Sequence, residues 1–453
     1  MGDILTAVRD AVWGPVTLIL ILGTGIILSI RTGFAQIRFL PKAVRDFCGR
    51  KSTPSAKRSF FTALAATVGT GNIAGVAGAV SIGGPGAIFW IWVCGIIGMV
   101  LKYAEAVLAV RYRQHCKGEW IGGPMYIIRD GLGKRFRPLA FAYCIFGLVA
   151  SFGVGNAAQI NAITVSLRST MAAYGHPAGK IMDLLSGALM GILIGISLLG
   201  GAVRIGKAAE KLVPAAALLY LAMSMGVLVC CRDRLPGVFR LIFQGAFDPK
   251  AVTGGMVGTA FQCMRTGISR GVFTNEAGMG TAAIAHGGSD ALHPTQQGLL
   301  GILEVFIDTI VICTLTALVI LCSGESIPYG LDTGAELTVR AFGSVYGILA
   351  QGLLTVEIIL FAFAAMLGWG LYGARCAEYL FGVKAWKSFV ICQGLAAAVA
   401  AVLDTGAVWT VSEIFNGLMA LPNLIALALL TPEVVRLTKD FPARKRTKKY
   451  PPA

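Results

Sequence analysis

The sequence predicts an all-α integral membrane protein with about eleven transmembrane helices. Of its 453 residues, 56% are hydrophobic and only 14% are charged. Soluble domains carry about a quarter charged residues, so this composition excludes an ordinary soluble fold. Apolar runs long enough to cross a bilayer occur at 14–30, 60–82, 86–109, 138–167, 182–200, 208–231, 252–272, 296–322, 346–374, 388–404 and 408–430.

The distribution of basic residues predicts how these spans are oriented. The first run lacks a basic leader and a small-residue cleavage site, so it is interpreted as a retained span. The net charge of +16 is concentrated after the first span, after the third span and in the C-terminal tail. With eleven spans these segments share one side, which the positive-inside rule makes cytoplasmic. We therefore expect a multi-pass protein of the cell membrane, with its N-terminus outside and its C-terminus inside. The charge marks orientation and does not indicate a nucleic-acid partner.

The spans after the first divide into five and five, in units of opposite orientation, which predicts the inverted repeat found in many transporters. The predicted segments are an N-terminal helix with a basic cytoplasmic segment at 1–59, two five-helix units at 60–231 and 232–430, and a basic tail at 431–453.

Two further features lie in the second unit. The TGxxxG pattern at 266–271 echoes the one at 70–75, so span 7 is also expected to be irregular. Segment 235–246 is predicted to form an amphipathic helix on the outer surface.

The string VGTGNIAG, residues 68–75, interrupts the second span with three glycines and an asparagine. Glycine weakens a helix, and unpaired peptide groups in hydrocarbon are costly, so such a break indicates a bound ligand or a wet cavity. Amides exposed at the start of a half-helix attract a carboxylate. The freed carbonyls near Thr67, together with the side-chain oxygen of Asn72, suit Na⁺. A break of this kind therefore predicts a zwitterion site beside a cation.

Other polar residues inside the spans are candidates for the same site. Glu304 and Asp308 lie on one face of span 8, and a carboxylate at the depth of Asp308 needs a cation, a donor or water. Gln159 in span 4 either bonds a neighbouring helix or faces the pocket. Trp369 is either a lid over a pocket or an interfacial anchor, and Glu357 is either a gate or a packing residue.

Glu105 lies near the cytoplasmic end of its span, where solvated or paired carboxylates are ordinary, and it is expected to pair with Lys102 across one helical turn.

The remaining patterns argue against other classes of function. The four histidines fall in predicted loops, which disfavours a proton pathway built on histidine. No nucleophile–base pair or metal motif lies within the spans, so neither an enzyme nor a cofactor is predicted. A channel would need repeated filters or rings of like residues, which the sequence lacks. No feature predicts an obligate protein partner.

Several strings resemble the alanine or glycine:cation symporter family over roughly residues 10–435. They are ATVGTGNIAGVAGAVSIGGPGAIFW, KYAEAVLAVRYR, GGPMYI, SFGVGNAAQINAI, RGVFTNEAGMGTAAIAHG and VFIDT. The resemblance implies a LeuT-type fold with one additional N-terminal helix. It also implies a secondary active transporter that couples inward Na⁺ movement to uptake of alanine or glycine by alternating access. A proton-coupled carrier of the same fold, with Asp308 or Glu304 titrating, remains the alternative.

The resemblance also assigns roles to individual residues. It implies that the amides of Thr70 and Gly71 hold the substrate carboxylate, that Asn72 sits at an ion beside it, and that Gln159 contacts the substrate's amino end. Met264 and Trp369 would bound the side-chain pocket.

A second cation site would use the carbonyls of Ala65 and Val68. At 368–374 this chain has GWGLYGA where the family often has GWSYYGE. The missing serine hydroxyl removes a ligand from that second site.

Overall fold

The computed structural model describes residues 2–49, 52–116, 118–176, 179–331, 334–403 and 405–441. Most of the basic tail predicted at 431–453 lies outside these residues. The helices of the first half are α1 (Gly2–Val12), α2 (Pro15–Arg31), α3 (Ala35–Cys48), α4 (Pro54–Thr67), α5 (Val76–Gly83), α6 (Ala87–Arg111), α7 (Pro124–Tyr126), α8 (Arg137–Phe152), α9 (Ala158–Ala173), α10 (Lys180–Leu199) and α11 (Gly201–Cys230).

The second half is helical as well. Its helices are α12 (Leu235–Phe247), α13 (Pro249–Thr253), α14 (Ala260–Asn275), α15 (Thr281–Gly287), α16 (Pro294–Val305), α17 (Thr314–Ser323), α18 (Gly334–Tyr346), α19 (Leu349–Phe381), α20 (Ala385–Ala400), α21 (Thr405–Leu429) and α22 (Thr431–Asp440). π-helical turns occupy Gly71–Gly75, Ile127–Gly131, Gly153–Ala157 and Phe306–Cys313, and 3₁₀ turns occupy Lys134–Phe136 and Arg232–Arg234. An antiparallel hairpin joins β1 (Gln114–Cys116) to β2 (Glu119–Ile121).

The predicted all-α membrane architecture is confirmed. Among the described residues, eight helices are long and apolar enough to cross a membrane, and the bent pair α4–α5 makes nine. Helices α14 and α20 occupy the predicted spans 7 and 10, but at 16 residues each they are short for a full crossing. The total of eleven crossings therefore stays a prediction. The amphipathic segment at 235–246 is helical, as α12, and its placement on the outer surface stays a prediction.

Local sequence signals explain where the helices near the centre begin. Thr53 accepts a hydrogen bond from the Ala56 amide, and Pro54 opens α4 at the position where a missing N–H costs nothing. His293 and Gln296 form a reciprocal capping box at the start of α16.

Helix α6 is the central strut of the fold. It packs against α14, α15 and α16, while α19 packs against α4, α8, α9 and α11. By contrast, α10 exposes large apolar side chains such as Leu185, Leu189 and Ile192, as expected of a helix that faces lipid. The segments that join α4 to α5 and α14 to α15 therefore lie between this buried strut, α6, and the second long helix, α19.

Glycines in α14 serve close packing. The expected irregularity at 266–271 is wrong, because α14 is continuous through these residues. A Cβ on Gly267 would lie 2.4 Å from the Ala87 carbonyl oxygen, and one on Gly271 would lie 2.9 Å from Cys94. Small residues let membrane helices approach, so the echoed pattern reflects contact with α6.

This packing predicts the effect of a single methyl group. We expect Gly267→Ala to lower the melting temperature of the purified protein, because overpacking costs about 1–3 kcal/mol. Gly195→Ala is the matched control, since a Cβ at this α10 position meets no atom within 4 Å. It should leave the melting temperature unchanged or raise it. Equal effects of the two substitutions would contradict the packing role of Gly267.

Candidate binding site between two helix breaks

The first break separates α4 from α5 with a bend of 48°. Helix α4 ends at Thr67, Val68 has an extended backbone with ψ of 101°, and a π-helical turn begins at Gly71. This confirms the interruption predicted at 68–75. In the part of the chain that the structure describes, the amides of Thr70 and Gly71 donate to no backbone carbonyl. They are thus available to an anionic ligand.

Asn72 ties the first break to Asp308, and both residues are fully buried. The Asn72 Oδ1 atom accepts from the Gly69 amide at 2.9 Å, and its Nδ2 atom donates to Asp308 Oδ1 at 2.8 Å. The side-chain oxygen of Asn72 keeps one lone pair for a cation. An unexposed carboxylate next to it supplies the negative charge that such a cation would neutralise.

Asp308 also connects to the second break. Thr309 Oγ1 donates to Asp308 Oδ2 at 2.9 Å, and Asn275 Nδ2 donates to Thr309 Oγ1 at 3.1 Å. Asn275 is the last residue of α14, and its Oδ1 accepts from the Ala277 amide at 2.9 Å. One hydrogen-bond chain therefore joins the two breaks, with the Asp308 carboxylate as its common acceptor.

Asp308 sits in an eight-residue π-helical stretch, Phe306–Cys313, which the sequence did not indicate. π-Helical stretches are rare in proteins, and those that do occur are often found at functional sites. Glu304 and Asp308 were expected on one helical face, and each instead joins a different cluster. Glu304 bonds residues of α6 and α15, while Asp308 bonds Asn72.

A second set of predicted residues meets on the other side of the first break. Thr70 Oγ1 donates to Gln159 Oε1 at 3.1 Å, and Gln159 Nε2 donates to the Val154 carbonyl at 3.1 Å. A Cβ on Gly69 would lie 3.4 Å from Ala365 and 3.8 Å from Gln159 Oε1. The break, Gln159 and helix α19 thus pack against one another.

The remaining pocket candidates are placed less closely together. Trp369 is buried and packs on Gly155, where a Cβ would lie 2.3 Å from the Trp369 Cβ. Met264 is partly buried and packs against the same hydrophobic cluster as Trp369. Phe273, which no sequence pattern indicated, lies where a Cβ on Gly71 would approach it to 3.4 Å.

The second break follows Asn275 in the NEAGMG string. Glu276 has a left-handed φ of 54°, and Gly278 and Gly280 have φ of 86° and 83°. Glu105 of α6 satisfies this turn, because its Oε1 accepts from the amides of Gly278 at 2.9 Å and Gly280 at 3.0 Å. Glu105 was expected to be an ordinary carboxylate near a helix end, and it is instead fully buried.

A chain of buried polar groups lies on the same strut. Lys102 Nζ contacts Glu304 Oε1 at 2.9 Å rather than pairing with Glu105, as had been expected. Glu304 Oε2 lies 3.0 Å from His286 Nε2, and His286 Nδ1 lies 2.7 Å from Gln297 Nε2. His286 is in α15 and has no exposed surface, so its placement in a loop was wrong.

This chain ends near a cavity of about 190 Å³ between α4, α15 and α19. Gln297 Nε2 reaches the Ala56 carbonyl of α4 at 3.4 Å. Ser59, Ala285 and Arg375 are among the residues that line the cavity, and Arg375 pairs with Glu119 at 3.1 Å. The buried chain therefore holds both half-helices that border this cavity, α4 and α15.

The Lys102–Glu304 pair predicts a non-additive stability change. We expect Lys102→Met to destabilise the protein by about 3–5 kcal/mol, because it leaves a buried charge uncompensated. Adding Glu304→Gln should recover part of that loss. Thermal unfolding of the two single variants and the double variant gives the coupling energy. Strictly additive losses would contradict a direct charge interaction.

Comparisons with known proteins agree with this geometry. Residues 1–453 match the model of the sodium:alanine symporter family. The sodium/alanine symporter AgcS of Methanococcus maripaludis is 40% identical over 451 residues, covering 97% of each chain. The probable sodium/glutamine symporter GlnT of Bacillus subtilis is 36% identical over 459 residues, covering 100% of this chain and 93% of the relative.

One solved structure is similar to this chain in fold, at low sequence identity. MhsT in complex with L-phenylalanine aligns with a TM-score of 0.60 and 13% identity, over 86% of this chain and 98% of that chain. The resemblance found in the sequence is confirmed by the family match across the whole chain. The chain belongs to the sodium:alanine symporter family and is a multi-pass, cation-coupled amino-acid symporter without enzymatic activity.

Proposed function

We propose that this symporter couples inward Na⁺ movement to uptake of a small neutral amino acid, alanine or glycine, by alternating access. The observation that carries the proposal is the Asn72–Asp308 contact of 2.8 Å beside the unpaired amides of Thr70 and Gly71. A carboxylate bound at the amides would lie next to a cation at Asn72. Each ligand would then raise the affinity for the other, which is the basis of coupled transport.

The proposed substrate site combines the break with its neighbours. Thr70 and Gly71 hold the carboxylate through their amides, and Gln159 contacts the amino end. Trp369 and Met264 bound the side-chain space, which suits a small substrate because Trp369 is packed on Gly155.

The proposed cation sites differ in how completely this chain supplies ligands. Na⁺ at the first site takes the Asn72 oxygen, carbonyls near Thr67 and the charge of Asp308. A second site at the carbonyls of Ala65 and Val68 lacks a hydroxyl from α19. A Cβ on Gly370 would meet the Leu198 side chain at 2.7 Å, so this position serves helix packing.

Alternating access would use the two ends of the molecule differently. We place the two five-helix units at 60–231 and 232–430, since the broken helices α4–α5 and α14–α15 lie near the start of each. The cavity beside α4 and α15 faces the cytoplasm in this proposal. At the other end, Arg270 pairs with Glu413 at 2.9 Å and Arg265 pairs with Asp10 at 2.8 Å.

Labelled alanine uptake into proteoliposomes tests the proposal. An inward Na⁺ gradient should drive accumulation, and replacing Na⁺ by choline should abolish it. A proton-coupled carrier is the second candidate, because the fully buried Asp308 could hold a proton in place of Na⁺. Uptake that persists without Na⁺ and follows a pH gradient would favour that candidate.

Asn72 gives the first mutational prediction. Asn72→Ala should reduce Na⁺-dependent uptake about tenfold or more at subsaturating Na⁺, because it removes a ligand and one of the two side-chain donors to Asp308. Asn161→Ala is the matched control. Asn161 is a buried asparagine of α9 whose Oδ1 has no partner among the described residues. Wild-type uptake in Asn72→Ala, with Na⁺ dependence intact, would refute the ligand role.

The Thr70–Gln159 contact gives a second mutational prediction. Because the substrate carboxylate is held by the Thr70 amide, Thr70→Ala should raise the KM for alanine only a few-fold through loss of one neutral hydrogen bond, about 1 kcal/mol. Thr70→Ser keeps the hydroxyl and should behave as wild type. Initial-rate uptake against alanine concentration measures both. Complete loss of transport in Thr70→Ala would show that the hydroxyl binds a ligand directly.

A further inference from the structure

Glu357 of α19 is a buried acid that the proposed transport site does not use. Its side chain has 0% exposed surface. The backbone of Tyr220 lies near its carboxyl group, and neither Oε1 nor Oε2 accepts a hydrogen bond from a side chain of the described residues. This sets Glu357 apart from Asp308 and Glu304, each of which is bonded at both oxygens.

The surroundings of Glu357 are apolar or neutral. Tyr220 of helix α11 faces Glu357. The Tyr220 ring lies 5.9 Å from the ring of Phe361, which is one helical turn further along α19. The Tyr220 hydroxyl is engaged with Thr316 Oγ1 of α17 at 2.6 Å. No neighbouring side chain thus supplies a positive charge from α11 or α17 at this level.

The charged groups of the other elements packed near this part of α19 are engaged or exposed. Arg168 of α9 pairs with Asp183 of α10 at 2.9 Å, and Arg340 of α18 is exposed. An ionised carboxylate in such a place would be a buried charge without compensation. A carboxyl group in such a place is more stable when it binds a proton and becomes neutral.

We propose that Glu357 is a proton-binding site, which carries its proton in this conformation and exchanges it with water when the outer ends of α11 and α19 separate. Glu357 lies eight residues from the start of α19, about 12 Å along the helix. It is about 18 Å from Trp369 on the same helix, so motion of α19 at the substrate site also moves Glu357 against α11. The exchange is a transfer of one proton between the carboxylate and water, with no other bond changed.

The exchange rests on the proposed function, whereas the bound proton does not, so two measurements separate them. The first is the infrared spectrum of the purified protein at neutral pH. The wild type should show a carboxylic-acid C=O band that Glu357→Gln lacks. Asp183→Asn is the matched control, because Asp183 is equally buried but paired with Arg168, and it should leave the band unchanged. An unchanged band in Glu357→Gln would overturn the proposal.

The second measurement uses proteoliposomes that contain a pH-sensitive dye. Alanine added with Na⁺ should move protons in the wild type, and Glu357→Gln should lose this signal while labelled alanine uptake remains close to wild type. A proton signal that survives in Glu357→Gln would overturn the exchange. If the Gln variant does not fold, Glu357→Asp keeps a protonatable group and should retain both the band and the proton signal. Absence of alanine uptake in the wild type would instead count against the proposed function alone, since the infrared result is independent of transport.

Discussion

The structure depends on the need to satisfy peptide groups where two helices break inside a membrane. Hydrocarbon offers no partner for a free N–H or C=O, so side chains satisfy peptide groups at each break. Asn72 accepts from the Gly69 amide at the first break, and Glu105 accepts from Gly278 and Gly280 at the second. The amides of Thr70 and Gly71 have no backbone acceptor among the described residues, and we propose that they bind the substrate. Peptide groups that the protein itself leaves without a partner are the groups that can bind a ligand.

Two polar systems with different tasks extend from these breaks. One converges on Asp308, which accepts from Asn72 on one side and from Thr309, itself bonded by Asn275, on the other. A cation there would act on both broken helices at once. The other runs from Lys102 through Glu304 to His286 and holds α15 to the strut. Fully satisfied buried networks of this kind specify one arrangement and make its loss costly.

Sequence patterns predicted the first break because glycine and polar residues occur together at 68–75, and family resemblance brought Thr70 and Gln159 to one site. They failed where a residue's role depends on long-range packing. Glu105 looked like a carboxylate at a helix end, and only the fold brings the turn at Gly278 to it. The glycines at 266–271 were interpreted as a break because the sequence does not distinguish a glycine that allows close helix packing from one that allows the chain to turn. The π-helical stretch at Asp308 carries no residue pattern that separates it from an α-helix.

The most direct test is equilibrium binding to the purified symporter, with alanine affinity measured across Na⁺ concentrations and Na⁺ affinity measured across alanine concentrations. If the substrate carboxylate and the cation share the first break, each ligand must raise the affinity for the other by the same factor. Alanine binding that is equally tight in Na⁺ and in choline would contradict a shared site.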